Sequence, residues 1–479
     1  MNTVLSTVKN KIGSGRQRRR RYVTAIWTAE LTAMSRLAAP IVVTQLAWVA
    51  MMITDTAMIG RLGAAKLAGA SLSMMILFLA YIFAFGVIAS TAGLAAQAFG
   101  ARKPRVVRRV VRQGLWVTIV LTLPALLVFR YAADILGALG QPAETLAHAD
   151  AYMSTLMWTL PPAIAFAVLR NFVSALNRPM PALWVMLSGV PINAFLDYAL
   201  IFGNFGFPRL ELVGAGIATS SVNAAMFLTL LGIAVFRRPF ARYAILGRFW
   251  RPDWFQFRQI FRIGLPIAGA MLLEGGFFIA AVFVMGQFGA AVIAAHMIAI
   301  QLPHVTYMVP MGLAQAATVR VGQAAGRRDV AGAYRAGWIA LLVTLGIMAI
   351  MTVVVIAIPG LFASAFLDHD RADSAAVLAL AVSFLFYGAF FQAADGMQAV
   401  AAGALRGLND TAVPMVLAGM SYWGVGLATG LWLAFEAGMR GSGLWLGFVF
   451  GLSCAAVLLT WRFKRLARRG YLPAAVRDI

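Results

Sequence analysis

Long apolar stretches alternate with short polar punctuation along the whole chain, and the apolar stretches share one characteristic length. Twelve fall at residues 37–60, 67–95, 110–132, 151–170, 180–203, 213–236, 261–285, 291–319, 336–358, 375–402, 411–435 and 441–463. Leu341 to Pro359 and Leu378 to Phe391 hold no charge at all. A helix of roughly 20 apolar residues spans the hydrocarbon of a bilayer, where every backbone polar group must be satisfied internally. A buried core helix explains one or two such runs but not a dozen. The pattern predicts an all-α integral membrane protein of twelve transmembrane helices; the eighth stretch is long enough to be read as two.

Composition agrees: 61% of residues are hydrophobic and 12% charged, against roughly a quarter charged in soluble domains. A net charge of +23 in a soluble protein points to nucleic acid. Here the basic residues are spread over inter-helix loops and tails, so the partner expected is the lipid bilayer and not nucleic acid. One set of loops is basic: Arg102 to Arg109, Arg170 with Arg178, Arg237 to Arg262, Arg327 to Arg335, Arg406, and Arg462 to Arg469. The alternate set carries Asp134, Glu144 and Asp150, then Glu211, then Asp368, Asp370 and Asp373, then Glu436. Positive loops stay in the cytoplasm, which puts both termini inside, as an even helix count requires. The Arg18 to Arg21 cluster is followed by no short apolar stretch with a cleavage site, and reads as a cytoplasmic tail.

Several chemistries are excluded. The one cysteine, Cys454, rules out an intramolecular disulfide and a Cys-rich metal site. No lysine follows a glycine, so there is no phosphate-binding GxxxxGK loop, and no histidine starts an HExxH motif. Neither a catalytic nucleophile motif nor a filter-like repeat is present. An enzyme and a channel both lack support, and no cofactor is expected.

The chain also repeats itself at a constant offset of 226 residues, the separation of Arg36 from Arg262. Arg36-Leu37-Ala38-Ala39-Pro40-Ile41 matches Arg262-Ile263-Gly264-Leu265-Pro266-Ile267, and Gly60-Arg61-Leu62-Gly63-Ala64-Ala65 matches Gly286-Gln287-Phe288-Gly289-Ala290-Ala291. Gly86, Gln97 and Gly100 fall on Gly312, Gln323 and Gly326. Six helices per half, an even number, give the repeats the same orientation. Such parallel repeats are related by an axis along the membrane normal, with a substrate path between them. The expected organisation is a tail (1–35), an N-lobe (36–236), a cytoplasmic linker (237–260), a C-lobe (261–463) and a tail (464–479), as two parallel six-helix bundles around a central cavity.

Of the seventeen Asp and Glu residues, four lie within apolar helices: Asp55, Asp197, Glu274 and Asp395. A charge there costs about 3 kcal/mol or more, so such residues face a cavity or a partner. A neutral, hydrogen-bonded structural carboxyl is the plainer alternative. No comparable set of buried Arg or Lys is evident, which makes the interior acidic. Asn193 and Asp197 are four apart and share one face of helix five. With Asp55 and Thr219 they offer carboxylate, amide and hydroxyl oxygens, the ligands that hard cations take, so Asp55, Asn193 and Asp197 form a candidate Na⁺ site. In the C-lobe, Glu274 and Asp395 near Tyr307, Tyr387 and Phe391 suit organic cations through charge and cation–π attraction, although aromatics at helical spacing also arise from packing. Pro40, Pro191 and Pro266 lie inside helices, where a proline permits a bend.

At these residues the chain resembles the multidrug and toxic-compound extrusion (MATE) family, in its NorM-like branch. Asp55-Thr56-Ala57-Met58-Ile59-Gly60 resembles the family's first-helix motif, and Gly264-Leu265-Pro266-Ile267 followed by Glu274 its seventh. Asp395 followed by Gln398 to Gly407 is similar to the tenth, and Ala294 to Gly322 to the eighth. The resemblance covers residues 30 to 465. It implies two six-helix bundles in a V, and a Na⁺- or H⁺-driven antiporter that expels small cationic amphipathic drugs, working as a monomer in a bacterial inner membrane. By motif position, Asp55, Asn193, Asp197 and Thr219 match the N-lobe cation site, Glu274 and Asp395 the C-lobe acids, and Pro40 the proline at which the first helix bends. Phe391 stands where some relatives carry a tyrosine, which removes one hydroxyl from any C-lobe alkali-ion site. A related-fold flippase for lipid-linked oligosaccharides is the alternative; it would be expected to line its cavity with Arg or Lys and to add helices.

Topology is directly testable. Reporter fusions after Arg105, near Arg248 and at the C-terminus should report cytoplasm, and fusions near Glu144 and Asp370 the outside. Reversal at any two of these sites contradicts the twelve-helix arrangement.

Overall fold

The computed structural model describes the backbone of residues 2–138, 140–364 and 374–470, and the side chains of 25–138, 140–362 and 376–470. Twelve helices are long and apolar enough to cross a membrane: α1 (Ala25–Gly60), α2 (Ala64–Gly100), α3 (Pro104–Arg130), α4 (Ala143–Ala175), α5 (Met180–Phe202), α6 (Glu211–Phe236), α7 (Trp254–Gly286), α8 (Ala290–Gly326), α9 (Val330–Ala357), α10 (Ala376–Gly407), α11 (Ala412–Phe435) and α12 (Arg440–Arg468). Their outer faces carry apolar side chains such as Phe283, Val353 and Leu127, at 77%, 67% and 64% exposure. A water-soluble surface does not tolerate so many; a lipid-facing one requires them. The side chains of Arg18 to Arg21, and residues Asp368, Asp370, Asp373 and Asp478, lie outside what the structure describes.

Several expected boundaries shift, each for a local reason. The first helix continues back to Asn2, so the expected N-terminal tail is helical. The fourth begins at Ala143, tightens to a 3₁₀ turn at Met157–Thr159 and resumes at Leu160, just where Pro161 and Pro162 supply no amide donors. The seventh begins inside the expected linker because Asp253 caps it, accepting from the Gln256 amide at 3.2 Å. The eighth is indeed two pieces, Ala290–Thr306 and Met308–Gly326, which meet at Tyr307 between Pro303 and Pro310. The eleventh widens to a π-helix over Met420–Leu427.

The sequence repeat reappears as reciprocal geometry. Gly63 and Gly289 open α2 and α8 with φ of 105° and 104°, a conformation that suits glycine because it has no Cβ. A Cβ on Gly100 would lie 2.2 Å from the Gln323 carbonyl oxygen, and one on Gly326 would lie 2.1 Å from that of Gln97. The same exchange joins Gly86 to Ala268 and Gly312 to Val42. Where residue i meets j and the repeat of j meets the repeat of i, the contact has the form of a two-fold.

Hydrogen bonds follow suit. Gln97 donates to the Gly407 carbonyl (2.8 Å) and accepts from Asn409 (2.9 Å); Gln323 donates to the Ala175 carbonyl (2.9 Å) and accepts from Asn177 (3.2 Å). Asn409 and Asn177 take φ of 57° and 58° to do so. Arg320 pairs with Glu30 through two bonds of 2.8 and 2.6 Å. Among the described residues, hydrogen bonds between the halves lie at mid-depth or toward the basic loops, which closes that end of the interface.

The crossing of α2 with α8 sets a stability test. Alanine favours a helix over glycine by about 1 kcal/mol, but a backbone carbonyl at 2.2 Å cannot yield without moving its helix, and overpacking costs about 1–3 kcal/mol. Gly100→Ala and Gly326→Ala should each lower the melting temperature of the purified protein. Because both act on one crossing, the double variant should lose less than the sum of the two. Unchanged melting in both single variants would mean that the crossing is loose.

Candidate functional site

The four intramembrane acids come from four different helices, and the structure gathers them into two pairs. In the first half, α1 brings Asp55, α5 brings Asn193 and Asp197, and α6 brings Thr219, all of them buried. The amide Nδ2 of Asn193 donates to Asp55 Oδ1 at 2.5 Å and to Asp197 Oδ2 at 2.6 Å. Thr219 Oγ1 donates to Asp55 Oδ2 at 3.3 Å. Since one nitrogen serves both carboxyls, they are held side by side. Asn193 Oδ1 and Asp197 Oδ1 are buried with no partner, as is the hydroxyl of Tyr152, which lies within electrostatic reach of both acids. The four expected residues therefore do meet, and Tyr152 is a neighbour that sequence reasoning missed.

In the second half, Gln398 performs the same task. Its Nε2 donates to Glu274 Oε1 at 2.9 Å and to Asp395 Oδ1 at 3.2 Å, while its Oε1 accepts from the Tyr422 hydroxyl at 2.9 Å. The π-helical turn of α11 supplies Tyr422. Arg406 lies near Glu274 and lines the pocket beneath it. Gln398 stands three residues after Asp395, on the same helical face; that spacing was the available signal. Tyr422 had none.

A cavity of about 430 Å³ lies between the halves, lined by Glu274, Asp395, Tyr307 and Phe391 from one side and by Trp48, Phe78 and Tyr81 from the other. Trp48, Tyr81 and Phe85 stack in series at 5.9 and 5.7 Å. Phe391 reaches the cavity but is mostly packed against Phe278, Trp445 and Phe448. Tyr387 packs on Phe386 and is not among the lining residues. Pro40 lies within α1, where Thr44 bonds back to its carbonyl at 2.7 Å, a contact that favours bending.

One expectation is overturned. Arg170 and Arg406, read from sequence as loop residues, lie in α4 and α10; Arg170 is 5% exposed and lines the cavity. The interior is therefore not purely acidic. Both fall within a turn or two of a helix end, where a charge read from sequence alone cannot be assigned to loop or helix.

Among known proteins, a sequence model described as MatE matches residues 40–199 and 266–432. The probable multidrug resistance protein NorM of Mesorhizobium japonicum is 43% identical over 445 residues, covering 92% of this chain and 95% of its own. Its counterpart in Rhodopseudomonas palustris is 44% identical over 446 residues, covering 92% and 93%. In fold, the chain is similar to the eukaryotic MATE transporter AtDTX14 (TM-score 0.82, 22% identity, 93% and 99% covered). It is likewise similar to a MATE family transporter of the MOP superfamily in an outward-facing conformation (TM-score 0.84, 19% identity, 92% and 96% covered). Matched over most of its length by the family and by close relatives, the chain belongs to the MatE family, the multidrug and toxic-compound extrusion proteins.

Proposed function

We propose that the chain is a secondary antiporter that exports cationic amphipathic compounds in exchange for Na⁺ or H⁺, as a monomer in a bacterial inner membrane with both termini cytoplasmic. The observation that carries this is the pair of amide-bridged carboxyl sites, one of them opening onto an aromatic cavity shared by both halves. With the basic loops inside, the closed end of the interface is cytoplasmic and the cavity faces outward. The relatives' description as probable multidrug resistance proteins fits that reading.

The two sites are chemically distinct, and this divides the labour between them. Gln398 is fixed in orientation because Tyr422 already donates to its oxygen. Asn193 has no such anchor, and its Oδ1 is unpartnered. Turning its amide about the last torsion presents that oxygen, with the two carboxylates, to one point: an oxygen cage for a small hard cation. We therefore place the coupling ion in the N-lobe, at Asp55, Asn193, Asp197 and Thr219. The organic cation belongs at Glu274 and Asp395, beside Tyr307 and Phe391. Pro40 would let α1 bend as the N-lobe site fills and empties.

The test is transport in proteoliposomes. A fluorescent organic cation should move against its gradient when an inward sodium or proton gradient is imposed, and one of the two gradients should suffice. Asp55→Asn or Asp197→Asn should reduce that flux to the level of protein-free liposomes while the protein still elutes as a folded monomer. Full transport by both single variants would mean that these acids are structural.

A further inference from the structure

At the basic-loop end the two halves mirror each other, yet one corner is closed by the protein itself and the other is left open. Asn409 and Asn177 make the reciprocal bonds to Gln97 and Gln323, so the residues that follow them, Asp410 and Arg178, take equivalent places. Asp410 is answered from within: Arg462 donates two hydrogen bonds to it, at 2.5 and 3.0 Å. Arg178 has no such partner. It faces a pocket of about 1040 Å³ at the ends of α1, α5 and α6, which Arg36, Arg237 and Arg238 also line. No Asp or Glu lines that pocket. None of the four arginines forms an ion pair among the described residues.

Loop arginines are ordinary where they face only water, but this pocket also faces the bilayer. Trp184, one turn into α5, stands in its wall at 65% exposure, the depth at which tryptophan marks a membrane interface. Met180, Ile192 and Phe195 continue the same exposed stripe of α5, and none of them lines the central cavity. From the unpaired arginines and the apolar stripe beside them we propose that this pocket binds the phosphate headgroup of an anionic phospholipid, with its acyl chains along α5. The planar fork of a guanidinium matches phosphate bidentately, and basic pockets between membrane helices suit such headgroups. A soluble phosphate compound meets the same arginines but gains nothing from the stripe. The pocket shares no lining residue with the central cavity, so its occupant is independent of the exported compound.

Native mass spectrometry of the delipidated protein, titrated in detergent with phosphatidylglycerol or with phosphatidylcholine of the same acyl chains, reads the affinity for the first bound lipid. Wild type should prefer phosphatidylglycerol by about tenfold or more. Arg178→Gln/Arg237→Gln should lower that affinity about twentyfold and leave phosphatidylcholine unchanged. Arg178→Lys/Arg237→Lys keeps the charge without the fork and should lose less. Arg251→Gln/Arg258→Gln removes the same charge from the basic segment that leads into α7, outside the pocket, and should bind both lipids as wild type does. A lipid-free melting temperature equal to that of wild type shows that each variant is folded. Arg178→Gln alone, with a loss of about fivefold, serves if the double variant melts early. Equal losses in the two glutamine double variants would mean diffuse attraction to a basic surface and overturn the site, as would equal wild-type affinity for the two lipids. If inorganic phosphate raises the wild-type melting temperature as much as phosphatidylglycerol does, the pocket takes a soluble phosphate and the lipid assignment fails.

Discussion

An ionised carboxyl at the centre of a bilayer costs about 3 kcal/mol or more, and this protein buries four carboxyls within its spanning helices, two by two, each pair sharing one amide. That constraint organises the rest. Two carboxylates held by a single Asn193 or Gln398 nitrogen repel each other wherever no cation balances them, and in low dielectric the repulsion is strong. Each pair is thus a site whose comfort depends on a proton, a metal ion or an organic cation being present. The driving force available is of the same size: about 2.3 kcal/mol for each charge crossing 100 mV, and about 1.4 kcal/mol for each pH unit. Sites poised at that scale can be filled and emptied by ion gradients.

The proposed exchange also needs two discrete arrangements, and the α2–α8 crossing supplies a well-defined one. Gly100 and Gly326 admit the opposing carbonyls to a distance that no other residue allows, and Gln97 and Gln323 tie each helix to the loop of the other half. A hydrogen bond contributes about 1 kcal/mol net. The closed end is therefore held by several contacts that are individually weak, strong enough to define a state and weak enough to be reversed by ligand binding of a few kcal/mol. The reciprocity of these contacts follows from the repeat: both halves bring the same Gln-x-x-Gly segment to the axis.

Much of this was legible in the sequence because a membrane makes the alphabet simple. Apolar length gave the twelve spans, and Asp55, Asp197, Glu274 and Asp395 stood out because an acid in an apolar run is rare. The pairing of Asp55 with Asp197 needed Asn193 at the i, i+4 position. What could not be read was the tertiary placement of residues with ordinary reasons to occur anywhere. Tyr152 and Tyr422 are uncharged polar residues of a kind that membrane helices tolerate without function, and Gln398 carried only its spacing from Asp395. Arg170 precedes Arg178 by two turns and looked like part of a basic loop; only the packing of α4 shows it facing the cavity. The Tyr307 break was half visible, since an apolar run of that length with Pro303 and Pro310 can be one helix or two.

The central claim is that organic cation and coupling cation exclude one another through these carboxyl pairs. The most direct measurement is equilibrium binding of tetramethylrhodamine methyl ester to purified wild type and Asp395→Asn, across pH 6 to 8 and a range of sodium concentrations. Wild-type affinity should fall as protons or sodium are added, protons by neutralising Glu274 and Asp395 and either ion by filling the N-lobe pair and favouring the other arrangement of the halves, and Asp395→Asn should bind weakly with the pH response reduced. Binding by Asp395→Asn as tight as wild type, with the same response to pH and sodium, would contradict the account.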